Sequence, residues 1–526
     1  MPRSAIISSF RHTAIYSLAG IIQKAVGFIM LPIYAKYLGA EGYGIVGMID
    51  VVMSVLTIFI GFGISGGLMR FYFEKETEDE KKVIVSTALL LALIIILFIS
   101  LPAFVLNKQL AYLAFGKRGL EFYIILSVLI FIAETTASNA SAYIYIKKYS
   151  ILYTVLSLAR LLVGLTLNIY LIIVLKWGVL GVLYSNLVAA TFNSIVTHAY
   201  AFKKVGFHYN HDDSMKILHF SVPLLPGYIA LFLRNNSDRI ILRSLLGLSQ
   251  VGVYSMILKF SSLISLLVIS PFLQIWNVKR LEICEQNEGQ FAIARMFTFH
   301  YSFMLLFGLL LSVEVPVILK ILTPKEFWIP SYYVTLVVYA QILFGCYYHF
   351  NFGLIYAKRT FNISKIQVLV AITSVILNMA LIRFFELLGA CIALEGSNFL
   401  FALLALKWSS KYYLVKYEWN KILQLTGSAL FLLIVINYAF MNGYNDSHFF
   451  YIDFYEFILK PLKLLNLNVF LNSKIIIYAN NNKELINEGV VKGLFSLIFI
   501  SSLFFCRILK WEQIKYYILF QNSGTK

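Results

Sequence analysis

A chain of 526 residues that is 60% hydrophobic and only 13% charged is not a soluble domain, because soluble domains carry about 25% charged residues. Its mean hydropathy of +0.79 shows that apolar residues are not confined to one face of each helix. The net charge of +18 would suggest nucleic acid in a soluble protein; here it reads as the basic loops that set membrane orientation, and nucleic acid is not expected as a partner.

In lipid the backbone must satisfy itself, so only helices or closed barrels span. The apolar runs reach the roughly 20 residues of a spanning helix and lack the alternation of barrel strands. In chain order they cover 12–36, 43–69, 83–106, 120–146, 150–175, 178–202, 217–243, 250–276, 296–322, 329–356, 363–384, 387–408, 421–440 and 489–509. The expectation is an all-α polytopic membrane protein with about 14 transmembrane helices. The segment after Arg11 is long enough to span and lacks a cleavage-site pattern, so no removable leader is expected. Cys284, Cys346, Cys391 and Cys506 are widely spaced and indicate neither a disulfide framework nor a metal site.

The loops sort by charge. With Arg3 and Arg11 placed inside, the even-numbered loops carry Lys75, Lys81, Lys82, Lys147, Lys148, Lys203, Lys204, Lys279, Arg280, Lys358, Arg359, Lys411 and Lys416. The odd-numbered loops are sparser, with Lys36, Lys176, Arg243, Arg383 and a few near Lys117 and Lys320. This asymmetry places both termini in the cytoplasm. Trp177, Trp276, Trp328 and Trp408 fall at segment ends, as in an aromatic belt. One long outer stretch, 441–488, mixes Phe449, Phe450, Phe454 and Tyr455 with Asp453 and Glu456. It reads equally as an interfacial amphipathic helix before Pro461 or as an irregular loop.

An internal repeat is visible. Residues 37–48 align without gaps on 245–256, matching Leu38, Gly39, Gly44 and Met48 with Leu246, Gly247, Gly252 and Met256. The same turn therefore joins segments 1 and 2 and segments 7 and 8. Six segments lie in each unit, so the copies run parallel, a recurrent transporter plan with the substrate path between repeats. The chain divides on this reading into lobes 1–210 and 211–415, with two further helices in 416–526.

Residues Gly27 to Val52, GFIMLPIYAKYLGAEGYGIVGMIDVV, followed by GFGISGGLMRFYFEK from Gly61 to Lys75, resemble the polysaccharide flippases of bacterial surface-glycan assembly. The features are the Leu38-Gly39 turn, Tyr43-Gly44, the glycines 61, 63, 66 and 67, and the exit Arg70-Phe71-Tyr72. That family belongs to the multidrug/oligosaccharidyl-lipid/polysaccharide exporter superfamily. The resemblance implies two six-helix lobes around a V-shaped cavity, plus two extra helices. It also implies alternating access in the bacterial inner membrane, carrying an undecaprenyl-diphosphate-linked oligosaccharide from cytoplasm to periplasm for O-antigen, lipopolysaccharide or related surface glycans. The partners implied are that lipid-linked substrate, membrane lipids and assembly proteins such as a glycan polymerase, with no cofactor.

An ionisable residue at mid-bilayer costs roughly 2.5–3.5 kcal/mol on insertion scales, so each is a functional hypothesis. Lys24 lies mid-segment with Gly20, Gly27 and Phe28 on its helical face, leaving room for a ligand or a packed helix. Arg234 stands near the equivalent position of segment 7. Arg can grip a diphosphate bidentately and Lys acts as a point charge. Lys259, Asp50 and Asp238 complete the substrate-binding candidates. The structural alternative is ion pairing: Arg234 with Asp238 at i,i+4, or Lys259 with Asp50. Asp50, Glu134, Glu314 and Glu395 are coupling-ion candidates, because desolvation raises a carboxyl pKa. Glu134, Glu314 and Glu395 each have the alternative of partnering a basic residue such as Arg160 or of making a polar helix contact. Pro32, Pro223 and Pro226 interrupt the first helix of each lobe, as hinges or as static kinks.

No GxxxxGK[ST] loop or zinc motif appears, so nucleotide hydrolysis and metal chemistry are not expected. A glycan polymerase or ligase would place its catalysis in the outer stretch, where His448, Asp453 and Glu456 could do acid–base work. That reading leaves the repeat unexplained. A drug/cation antiporter would favour acidic pore residues over Lys24 and Arg234.

Overall fold

A computed structural model describes residue 20, residues 22–286 and residues 288–442. The expected outer stretch 441–488, segment 489–509 and Cys506 lie outside the described residues, except for the last helical residues of the stretch's start. The described residues form helices without strands, as lipid requires of a chain with no barrel pattern. Ten of these helices are long and apolar enough to cross a membrane.

Helix boundaries follow local chemistry. Helix Leu31–Tyr72 starts with Pro32 in its first turn, where a missing N–H costs nothing. It carries Gly39 at φ +67°, a left-handed conformation that glycine alone reaches without a Cβ penalty. Gly247, its partner in the repeat, stands at φ +86° between helices Leu225–Leu246 and Leu248–Ile264. Both Leu-Gly turns of the repeat are thus positive-φ glycines, two of several among the described residues.

Helix Glu78–Val105 opens with a capping box: Thr77 Oγ1 accepts from Glu80 N, and Glu80 Oε2 accepts from Thr77 N, each at 3.2 Å. Glu78, Asp79 and Glu80 then oppose the positive end of the helix dipole. Lys147 reaches Glu78 at 2.9 Å. Its ammonium pKa is pushed up by the Tyr72 hydroxyl and by Glu78. Pro223 turns the entry of the seventh segment into a short 3-10 turn at Val222–Leu224 ahead of Leu225–Leu246, because proline has no N–H for an α-helical bond. Thr360–Ser409 covers the two expected segments 363–384 and 387–408; Glu386, at φ 53° and ψ −129°, breaks it between them.

The packing divides the chain into two units. The first takes residues up to Met256 together with Gln367–Ala390, and the second takes Ile257–Ile366 and the residues from Cys391 on. In the first unit, helices are joined by short polar contacts between apolar faces: Ser65 with Asn139 at 2.6 Å, Thr136 with Ser194 at 2.8 Å and Asn168 with Ser185 at 2.9 Å. Such bonds between helices hold transmembrane bundles where water cannot compete. The 206–214 connection is tied down as well. His208 N donates to Ser86 Oγ, Asn210 N donates to Thr87 Oγ1, and Lys75 pairs with buried Asp213 at 2.9 Å.

The repeat glycines meet within this unit. A Cβ on Gly44 would lie 1.9 Å from the Leu248 carbonyl oxygen, and a Cβ on Gly252 would lie 2.0 Å from the Ala40 carbonyl oxygen. Ala40 and Leu248 are equivalent in the repeat, as are Gly44 and Gly252, so the contact is reciprocal. One helical turn on, a Cβ on Gly47 would come 2.7 Å from Oγ of Ser255, its own repeat equivalent. Small residues permit this backbone-to-backbone crossing. In the second unit, Asn398 donates to the Ala340 carbonyl at 3.0 Å, and Tyr301 shares a 2.9 Å bond with Thr426.

Candidate functional site

The first unit encloses a cavity of about 500 Å³. Four helices build it. Leu31–Tyr72 presents Asp50, Ser54 and Thr57; Glu121–Ile146 presents Glu134 and Thr135; Val179–Val205 presents Asn186; and Leu225–Leu246 presents Tyr228, Asn235 and Asn236. Ile49, Met53, Phe131, Leu231 and Phe232 supply the apolar part of the wall. Ser54 Oγ and Thr57 Oγ1 donate to the carbonyls of Asp50 and Met53, each at 2.7 Å. Those hydroxyl protons are used within the helix, and their oxygens remain as acceptors. Asn236 Nδ2 donates to Phe232 O at 3.0 Å, and its carbonyl oxygen accepts from Arg239 Nη2 at 3.0 Å. The wall therefore carries two carboxylates, three amides, hydroxyls and a phenol, which offer many donors and acceptors, beside the aromatic rings of Phe131, Tyr228 and Phe232.

The two carboxylates differ. Glu134 pairs with Arg160 of Ser150–Ile169, with each side chain 37% exposed. Its charge is matched across two helices, so the ion-pair alternative is the arrangement observed for this residue. Asp50 is exposed at the cavity wall.

The remaining candidates are distributed. Arg234 is half-buried immediately before Asn235 and is not among the cavity-lining residues. Lys24 is exposed. A Cβ on Gly20 or on Gly27 would meet nothing within 4 Å among the described residues. Asp238 is buried: Oδ2 accepts from the Tyr254 hydroxyl at 2.8 Å and Oδ1 from Arg239 N at 2.7 Å. Lys259, Glu314 and Glu395 belong to the second unit, Lys259 exposed and both glutamates half-buried.

The structure thus gathers Asp50 and Glu134 in one cavity and adds Asn186, Asn235, Asn236 and Tyr228, which reading for charge alone passes over. Asn235-Asn236 was detectable, since two consecutive amides in an apolar segment carry a desolvation cost unless something uses them.

The match to a family model for polysaccharide biosynthesis proteins covers residues 9–275. A product of the Lsg locus of Haemophilus influenzae is 23% identical over 260 residues, which make up 49% of this chain and 63% of that protein; the match spans less than two thirds of that relative. Among solved structures, the lipid II flippase MurJ in an inward closed conformation superposes with a TM-score of 0.65 at 16% identity, over 93% of this chain and all of that one. The bent form of the Vibrio cholerae MATE transporter VcmN is a weaker match, with a TM-score of 0.48 at 13% identity over 77% of this chain and 99% of that one. The likeness to MurJ is one of fold, and on the family match the chain belongs to the polysaccharide biosynthesis protein family.

Proposed function

We propose that this chain is a flippase that carries an undecaprenyl-diphosphate-linked oligosaccharide from the cytoplasmic to the outer leaflet of the bacterial inner membrane by alternating access. The observation that carries the reading is the amide- and hydroxyl-lined cavity of the first unit. Its volume falls within the roughly 300–1,000 Å³ of small-ligand clefts. A sugar presents hydroxyl donors and acceptors around an apolar ring face, and Asn186, Asn235, Asn236, Asp50 and Tyr228 complement both. The cavity holds the glycan, and Lys24 and Arg234 hold the diphosphate. The lobes are 1–210 and 211–415, followed by the two helices of 416–526, with both termini cytoplasmic and 441–488 outside.

Asp50, Glu314 and Glu395 are the carboxylate candidates for a coupling cation, and Glu134 pairs with Arg160. The test is complementation. A host lacking its own surface-glycan flippase accumulates lipid-linked intermediate on the cytoplasmic face, and this chain should clear it and restore surface glycan. Accumulation that persists at normal protein level, across hosts with different repeat units, would refute the proposal.

A further inference from the structure

The second unit holds buried polar side chains that the transport reading above does not use. His300 on Gly289–Leu322 and His349 near the end of Ser331–Phe350 are each 2% exposed. His300 Nδ1 and His349 Nε2 are 2.8 Å apart. Phe272 stacks on the His300 ring with centroids 3.8 Å apart, and Phe297 covers His349 at 5.1 Å.

The hydrogen bonds assign the tautomers. His300 Nε2 lies 3.4 Å from the Val268 carbonyl oxygen. A carbonyl only accepts, so Nε2 carries the hydrogen. In a neutral His300 the acceptor is then Nδ1, and the hydrogen between the rings belongs to His349 Nε2. This leaves His349 Nδ1 with a bare lone pair, buried and without a partner among the described residues. Two donors around it also lack partners there: Trp276 Nε1 and Arg280 Nε. Trp276 packs on Phe272 at 5.9 Å, and Phe272 reaches His349 at 5.6 Å. Arg280 is 4% exposed, donates from Nη1 to Tyr348 O at 2.8 Å and sits 5.1 Å over the Phe352 ring.

The titratable and charged groups of the cluster are Arg280 from Ser270–Ile283, which acts on His349; Tyr301 from Gly289–Leu322 and Tyr417 ahead of Trp419–Asn442, which pack on Phe297; Cys346 from Ser331–Phe350, which acts on both tyrosines; and Tyr348, whose carbonyl accepts from Arg280. Among the described residues, no carboxylate is paired with Arg280, and none is among the charges acting on His349. The cluster therefore combines one fixed cation, two unused donors and one unused acceptor.

We propose that His349 Nδ1 is a proton-binding site, empty while the cluster is sealed and occupied in the conformation that hydrates Trp276, Arg280 and His349. In the sealed arrangement, a hydrogen on Nδ1 would face a guanidinium and find no acceptor, and an unpaired buried charge is costly. Water entering the cluster supplies that acceptor and separates the two cations. A proton then favours the hydrated conformation by the ratio of its affinities for the two states. This rests on the transport reading, for which it names the coupling ion as a proton and places its site on the second unit. His300 is a positioning residue: its ring, anchored on Val268, dictates which nitrogen of His349 is free.

The test uses the full chain in lipid bilayers with nitrogen-15 histidine, assigned through His300→Gln and His349→Gln. At alkaline pH both rings should show the neutral Nε2–H tautomer, and acid should add a second proton to His349. In parallel, export by cells carrying the native chain should follow a one-proton limb, up to about tenfold per pH unit. His349→Gln at native protein level should flatten that limb. His300→Asn keeps an acceptor for His349 Nε2, so it should displace the limb along the pH axis without abolishing it, a response that a purely structural role would not produce. If His349→Gln fails to accumulate, His300→Asn and the tautomer spectra decide. An Nδ1–H tautomer at His349, or a native pH profile in His349→Gln with export intact, overturns the proton site and leaves the transporter. The assigned tautomers with acid uptake, in a chain that clears no lipid-linked sugar, overturn the transport reading and leave the proton site.

Discussion

Replacing Gly44 or Gly252 by Ala should separate two backbones that now touch. The new Cβ would sit 1.9 Å from the Leu248 oxygen in one case and 2.0 Å from the Ala40 oxygen in the other, against the 3.4 Å at which ordinary contact begins. Neither obstacle is the end of a flexible side chain, so relief requires a rigid shift of one helix. Overpacking of this kind typically costs about 1–3 kcal/mol. A carbonyl as the obstacle puts these two sites at the upper end or beyond. A helix pair moved apart to admit the first methyl has already made much of the room for the second. The double variant should therefore be coupled, with an interaction of about 0.5–3 kcal/mol and less destabilised than the two singles added together. The assay is thermal unfolding of the detergent-purified chain, reading no more than about 2–4 °C per kcal/mol for a protein of this size. Two independent, additive shifts would refute a single reciprocal crossing, and an unshifted Gly44→Ala would refute the close approach itself.

Four other outcomes are expected. Arg160→Ala should lower stability by less than the roughly 3–5 kcal/mol of a fully buried pair, because both side chains are 37% exposed, and Glu134→Gln combined with Arg160→Met should recover most of it in the same melt. Asn235→Ala, at normal protein level, should weaken substrate clearance by roughly 2- to 12-fold, the value of one neutral hydrogen bond of about 0.5–1.5 kcal/mol; unchanged clearance would remove Asn235 from the binding wall. Lys24→Ala and Arg234→Ala should each cost roughly 10- to 150-fold, from about 1.5–3 kcal/mol per charged hydrogen bond, with Arg234→Lys also impaired because one ammonium cannot keep a bidentate grip; normal export in any of these assigns that residue elsewhere. Reporter fusions after Asn210 and Asn481 should read cytoplasmic and outer respectively, and the reverse pattern would invert the topology.

Class, segment order and the repeated turn were legible in the sequence because each rests on local chemistry. Lipid solvation demands long apolar helices wherever they occur, and glycine reaches positive φ without a Cβ penalty, so the Leu-Gly pairs at Gly39 and Gly247 marked a repeated turn before any packing was considered. Glu386 shows the same logic failing: a left-handed glutamate carries no composition signal, and only the gap between two apolar runs marked its place. The partners of the charged residues were a different matter. Arg234 and Asp238 share a helical face by spacing, yet the Asp238 carboxylate is taken by Tyr254 from the next helix and by the neighbouring Arg239 amide. Arg160 was a partner the sequence offered to three glutamates alike, and the packing of Ser150–Ile169 assigned it to Glu134. Asn186 and Asn235 become one wall only because two helices, distant in sequence, present them to the same space. His300 and His349 form a pair only in three dimensions. Apolar periodicity states that a face is buried; what a buried polar atom meets is decided by side chains from other helices, and that information exists only once the helices have packed.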